Sequence, residues 1–340
     1  MGPKELKNVL TVAVQNKLPV IIKGKPGIGK SDIVAQVAAE LGYELQISHP
    51  QVSDPTDYKG FPFPSPEGDR ATFLPFGDLY ELIQAKKPTI AFMDDIGQAP
   101  PAVQAALMQL LLARRVNGHK ISDEVTFIAA TNRREDMAGV SGLLEPVKSR
   151  FAAILELEEN LNDWCDWALE NKIPEELVGF IRFRPELLCD FTPSRDLVNS
   201  PCPRTLDNAG RWLLCGAMEE APLFSVLKGA AGERFATEFT AFLKIFRNLP
   251  EIDRIIENPR STKVPGDASI LHATCCALAK RAEKRNFDRI LLFLTRIPAE
   301  TKFGNELVFF TVHAAVTRNK ALHKNPAFLA WCSKNGKEVL

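Results

Sequence analysis

The chain has 340 residues, 45% of them hydrophobic and 25% charged, which is enough to bury a sizeable core without a disulfide or metal staple. Its 42 basic and 42 acidic residues cancel, so the global basic excess typical of proteins that live on nucleic acid is absent. Seven cysteines fall without C-x-x-C spacing, a pattern of reduced thiols rather than of disulfides or zinc ligands, and this length predicts two or three domains.

In chain order, Leu6, Val9, Leu10, Ala13 and Val14 space as one amphipathic helix over 5–16. The apolar run Pro19-Val20-Ile21-Ile22 predicts a buried strand. It leads into Gly24-Lys25-Pro26-Gly27-Ile28-Gly29-Lys30-Ser31, which fits the phosphate-loop pattern G-x-x-x-x-G-K-[ST] in full. Asp32 opens a helix to Leu41 with an apolar stripe of Ile33, Val34, Val37, Ala38 and Leu41. Strand, glycine loop and helix together predict a nucleoside triphosphate site. Backbone N–H groups of residues 24–32 would cradle phosphate oxygens, Lys30 would reach the terminal phosphates and the Ser31 hydroxyl would ligate Mg²⁺.

Residues 43–48 alternate as a strand. Residues 50–77, with Gly60-Phe61-Pro62-Phe63-Pro64-Ser65-Pro66-Glu67-Gly68, are too rich in proline for helix and predict a loop or short hairpin insertion. A helix is predicted over 78–86. Thr89–Met93 is a buried strand ending in Asp94-Asp95, and 101–113 is a helix with Pro101 at its start. Asn117-Gly118 predicts a hairpin turn between Val116 and Lys120. Val125–Ala130 is a further buried strand, leading to Thr131-Asn132. Alternating strands and helices imply a parallel sheet flanked by helices. Beyond about residue 155 the strands are expected to stop. Helices are predicted over 161–171, 174–182, 205–219, 231–247, 268–284, 287–296 and 305–318, with turns at Asn248-Leu249-Pro250 and Asn258-Pro259. There is no signal-peptide core and no apolar run near ~18 residues, so a cytoplasmic protein without a membrane span is expected.

The acids after the third strand fit metal and water chemistry. Asp94 would hold Mg²⁺ with Ser31, and Asp95 would polarise the attacking water. Asn132, at the carboxyl end of its strand, would contact the γ-phosphate or that water. Arg150 in Ser149-Arg150-Phe151 and Arg204 in Pro203-Arg204-Thr205 suit developing phosphoryl charge.

Taken in order, these motifs resemble Walker A, Walker B, sensor 1, arginine finger and sensor 2 of the AAA+ ATPases, over about residues 5–215. Within that family the chain is similar to the MoxR-like branch, with residues 61–63 as the insertion before Walker B and 116–120 as the hairpin before sensor 1. The resemblance implies a P-loop NTPase core (1–155), an all-α lid (156–218) and a helical C-terminal extension (219–340). It implies ATP and Mg²⁺ as ligands and a homo-oligomeric ring, usually a hexamer. It further implies a chaperone-like action on a protein client, such as a von Willebrand A domain protein, with Phe61–Phe63 as a contact. Arg150 is the expected finger, acting in trans, and Arg133 and Arg134 are expected at the subunit interface. The chain departs from the family at Asp95, where most members carry Glu. Two other readings follow: an ATP-gated scaffold with little hydrolysis, and a nucleic-acid motor or loader using Arg114, Arg115 and Lys120.

Overall fold

The computed structural model describes all residues except 66–67, 137–138, 140–141, 195, 217, 248, 250–251, 301–303 and 336–340. Two compact units emerge: residues 1–160 with 191–195, and residues 161–190 with 196–340.

In the first unit, α1 (Pro3–Gln15), β1 (Val20–Lys23), α2 (Lys30–Leu41) and β2 (Glu44–Ser48) come in turn. The insertion follows as α3 (Pro55–Lys59) and the strands β3 (Phe61–Pro64) and β4 (Ala71–Leu74). Next are α4 (Gly77–Gln84), β5 (Thr89–Met93), α5 (Pro101–Ala113), β6 (Arg115–Val116), β7 (His119–Lys120), β8 (Val125–Thr131), α6 (Glu145–Lys148) and β9 (Ala153–Glu156).

The main sheet has five parallel strands in the order β2-β5-β8-β1-β9. Every residue of β5 and β8 is buried, because a parallel strand covered on both faces needs apolar side chains on both. Alternation along β5 sends Ile90 and Phe92 to a core with α1 and α2, and Ala91 and Met93 to a second core with α4 and α5. The 50–77 segment holds a two-stranded antiparallel hairpin, β3-β4, every residue of which is exposed. Within that segment Pro66-Glu67 lies outside the described residues. The 116–120 turn is left-handed at both Asn117 (φ 47°) and Gly118 (φ 91°), the twist a two-residue hairpin needs.

The sequence reading carries no strand at β9. This strand is an edge of four residues with Ile154 53% exposed, so its pattern is that of a half-wet segment, not of a buried apolar run.

The second unit is helical: α7 (Leu161–Glu170), α8 (Glu175–Phe183), α9 (Pro203–Leu214), α10 (Glu220–Ala231), α11 (Glu233–Arg247), α12 (Ile252–Glu257), α13 (Ala268–Arg281), α14 (Phe287–Leu294), α15 (Ile297–Glu300), α16 (Gly304–Arg318) and α17 (Pro326–Asn335). The predicted 205–219 helix stops at Leu214, two residues before left-handed Gly216 (φ 117°). The predicted 231–247 helix starts two residues later, after Gly232 (φ 90°), whose absent Cβ would meet the Asn199 carbonyl at 2.7 Å. The turn predicted at Asn248-Leu249-Pro250 involves residues outside the described set. One continuous core runs from Trp164 to Trp331 and includes helices on both sides of residue 218. At its centre Phe180 packs on Phe235, Phe239 and Phe242, with ring centroids 5.9, 5.0 and 5.5 Å away.

Candidate nucleotide site

The glycine loop connects β1 to α2, and its backbone explains its composition. Gly27 (φ 71°) and Gly29 (φ 101°) are left-handed, where a side chain would strain the chain. Gly24 donates its N–H to the Thr131 carbonyl at 3.2 Å, which fixes the loop against the end of β8. No side chain caps α2 at Gly29. A helix start of this kind carries partial positive charge and suits an anion.

Lys30 is only 7% exposed. Its ammonium donates to the carbonyls of Gly24 (3.0 Å) and Lys25 (2.9 Å) and to Asn132 Oδ1 (2.7 Å). A buried ammonium needs its three donors met, and these acceptors meet them. Ser31 Oγ donates to Asp94 Oδ2 at 2.7 Å. Asp94 sits at the carboxyl end of β5, its N–H donating to the Ser48 carbonyl at 2.9 Å. Asp95 follows in a left-handed conformation (φ 57°), uncommon for a residue with a Cβ, and donates its own N–H to Asp94 Oδ1 at 3.1 Å. Asn132 Nδ2 donates to Asp95 Oδ1 at 3.0 Å. Lys30, Ser31, Asp94, Asp95 and Asn132 therefore come together from three separate segments at the carboxyl ends of β1, β5 and β8.

Arg150, Arg133 and Arg134 make none of the hydrogen bonds that join that cluster, and Arg204 belongs to the helical unit. Arg150 Nη1 donates to the Pro146 carbonyl (2.5 Å) and Ser149 Oγ (3.2 Å), and none of its hydrogen bonds reaches the five residues above. Its Nε is buried without a partner. Arg133 is held by Asp136, Nε to Oδ2 at 3.0 Å and Nη2 to Oδ1 at 2.9 Å, which raises the guanidinium pKa against the opposing effect of burial. Arg134 is exposed. Arg204 is exposed on the first turn of α9 in the helical unit.

Three participants escaped the sequence reading. Gln98, on the single turn Ile96–Gln98, donates Nε2 to Asp95 Oδ1 at 2.9 Å, while its Oε1 is buried without a protein partner. Buried Gln104 ties Ala99 to the segment before α6, donating to the carbonyls of Ala99 (3.0 Å) and Gly142 (2.9 Å) and accepting from the Leu144 N–H (2.9 Å). Glu159 pairs with Lys25 of the phosphate loop at 2.6 Å. Burial acts to raise the Glu159 carboxyl, but the Lys25 hydrogen bond, its own backbone N–H and the charges of Lys25 and Arg133 together hold it below the usual range. A spacing of three after an acid was the one available signal for Gln98; nothing in the chain pointed to Glu159.

The left-handed glycines, the uncapped helix start and the buried Lys30 fit a polyphosphate. The Ser31 and Asp94 oxygens fit Mg²⁺, which prefers hard oxygen ligands. Among the described residues no group of three or more His, Cys, Asp and Glu could hold a metal.

Comparison with known proteins agrees with this geometry. Residues 19–151 match the family model described as AAA domain (dynein-related subfamily). A Midasin of Giardia intestinalis is 27% identical over 193 residues, covering 53% of this chain and 4% of that protein. The Holliday junction branch migration complex subunit RuvB of Acholeplasma laidlawii is 24% identical over 176 residues, covering 46% of this chain and 44% of that protein. The matches thus span less than half the length of either relative. Among solved structures, a RuvB mutant of Thermotoga maritima is similar with a TM-score of 0.42 and 17% identity, over 79% of this chain and 81% of that chain. The match to the AAA domain model thus spans every residue of the cluster from Lys30 to Asn132.

Proposed function

We propose that the chain binds and hydrolyses MgATP and works as a MoxR-like member of the AAA+ ATPases, in a ring, remodelling a partner protein. The observation that carries the reading is the convergence of Lys30 on Asn132 and of Ser31 on Asp94 around an uncapped helix start. In this reading residues 24–32 bind the phosphates and Lys30 and Asn132 turn from each other to the γ-phosphate. Ser31 and Asp94 hold Mg²⁺, which supplies charge neutralisation on the phosphates. Asp95 orients the water whose oxygen bonds to the γ-phosphorus as the bond to the β,γ-bridging oxygen breaks. ADP leaves with that electron pair, and the water proton passes to the Asp95 carboxylate and on to solvent. Arg150 acts on a neighbouring copy's site, and Arg204 keeps the sensing role that its resemblance implies. The lid at 156–218 and the extension at 219–340 belong to the same proposal.

A protein client is favoured by the β3-β4 hairpin, where Phe61 and Phe63 are each 51% exposed. The second hairpin braces it: Asn117 Nδ2 donates to the Lys59 carbonyl at 2.7 Å, and His119 Nε2 lies 3.2 Å from the Phe73 carbonyl. The nucleic-acid reading, raised by Arg114, Arg115 and Lys120 and by the similarity to Holliday junction branch migration subunits, is weakened at two of those cations. Arg114 is spent on the Ser122 and Val125 carbonyls, and Lys120 is paired with Asp123. Binding of a labelled duplex that weakens steeply with salt would restore that reading.

ATP turnover against protein concentration, for the native chain and for Lys30→Ala, tests the proposal. Turnover rising faster than linearly and lost in the variant supports a ring with shared sites. Turnover strictly linear in concentration removes the ring. Bound ATP with no turnover at any concentration leaves the gated scaffold.

A further inference from the structure

Gln98 solves a problem that Asp95 creates. An aspartate is one methylene shorter than the glutamate expected by resemblance, and a misplacement near ~1 Å costs on the order of 100-fold in rate. Asp95 reaches the cluster by a left-handed turn (φ 57°), and that turn carries Gln98 back onto it through the hydrogen bond from the Gln98 N–H to the Asp95 carbonyl at 3.0 Å. Asp95 Oδ1 then accepts from two amides, Asn132 Nδ2 at 3.0 Å and Gln98 Nε2 at 2.9 Å. An acceptor engaged twice has a fixed orientation, and the second carboxylate oxygen is the one left to act on water. Gln98 Oε1 is buried without a protein partner, so the side chain is held through its nitrogen alone.

We infer that Gln98 is a positioning residue for hydrolysis: its Nε2 N–H holds Asp95 Oδ1 beside the Asn132 amide, which fixes the carboxylate so that Oδ2 orients the attacking water. The inference rests on the proposed ATPase reading. It adds a residue outside the motifs that carried that reading, and it gives the Asp95 departure a structural complement.

The test uses the full chain and two readouts. Steady-state turnover is compared for native, Gln98→Ala, Asp95→Glu and the double variant. Gln98→Ala is expected to lower kcat about 10- to 100-fold, the usual size of a lost positioning contact, with the ATP KM within twofold. In the Asp95→Glu background, where the longer acid reaches further unaided, the same change is expected to cost less than threefold. An equal loss in both backgrounds, or no loss in either, overturns the inference. The second readout needs no turnover: affinity for ADP with aluminium fluoride and Mg²⁺, relative to ADP alone. Gln98→Ala is expected to weaken the fluoride complex about tenfold and to leave ADP affinity unchanged; equal affinities in native and variant overturn it. A failure of the ATPase reading looks different, because the native chain would then bind neither nucleotide in a Lys30-dependent way.

Discussion

The two units of this chain treat polar groups in opposite ways. In the α/β unit, charged and amide side chains gather at the carboxyl ends of strands, share hydrogen bonds, and include a non-glycine residue in a left-handed conformation. In the helical unit the buried titratable groups are silenced. Burial pushes the Cys275 thiol up to about 12 against a hydrogen bond with Thr311, and the Cys165 thiol to about 11. Burial, helped by the charge of Arg182, brings the His272 imidazole down to about 4. The same low-dielectric interior therefore serves two ends. Where polar groups satisfy one another it builds a site, and where they stand alone it keeps them neutral.

That contrast can be broken most severely in the helical core. Phe180→Ala removes the ring on which Phe235, Phe239 and Phe242 pack, and is expected to destabilise the chain by about 3–5 kcal/mol in urea unfolding. A loss under ~1 kcal/mol would mean that the core re-closes around the gap, and the aromatic cluster would not be its centre. Lys30→Ala comes next. It should weaken binding of a fluorescent ATP analogue roughly 100-fold, or about 2.7 kcal/mol, while the urea midpoint barely moves. Comparable loss of fold and binding would make Lys30 a structural cation instead.

The third break uses pH. The folded pKa of His272 lies below its ordinary value of 6.5. Above 6.5 both folded and unfolded chains carry it neutral. As pH falls from 6.5 towards 4 the unfolded chain takes up a proton that the folded chain refuses, so stability drops, by roughly 2 kcal/mol at pH 5. His272→Phe should flatten that slope, measured by urea midpoints between pH 7 and pH 5. An unchanged slope would assign it to other groups. The smallest effect belongs to Asp95→Glu. Nucleotide affinity should stay within twofold while turnover changes by up to about tenfold in either direction. A large loss of affinity would contradict the division of labour between Asp94 and Asp95.

How far the sequence reached follows the same contrast. Thr89–Met93 and the helix 101–113 were legible to the residue, because a strand covered on both faces must be uniformly apolar and a proline can open a helix. The loop at 24–31 was legible because its glycines answer a backbone need. β9 was not, since a half-exposed edge of four residues has no distinctive pattern. α10 was missed because Pro222 and Gly229 lie inside it, and packing of Leu223 and Leu227 into the core overrides their poor helix propensity. In the candidate site, residues carried by a motif could be proposed one by one from the sequence. Gln98, Gln104 and Glu159 could not, because each matters through a partner brought near by a turn or by the sheet. Cys165, Cys202, Cys275 and Cys276 are buried, where a small apolar side chain suffices. No helix among the described residues is long and apolar enough to cross a membrane.

The central claim is that Lys30, Ser31, Asp94 and Asn132 form one MgATP site. Equilibrium binding of a fluorescent ATP analogue, with and without Mg²⁺, to the native chain and to Asp94→Ala tests it most directly. Mg²⁺ should tighten binding to the native chain severalfold, and that gain should vanish in Asp94→Ala while metal-free affinity stays the same. An identical Mg²⁺ gain in both proteins would place the ion elsewhere and contradict the account.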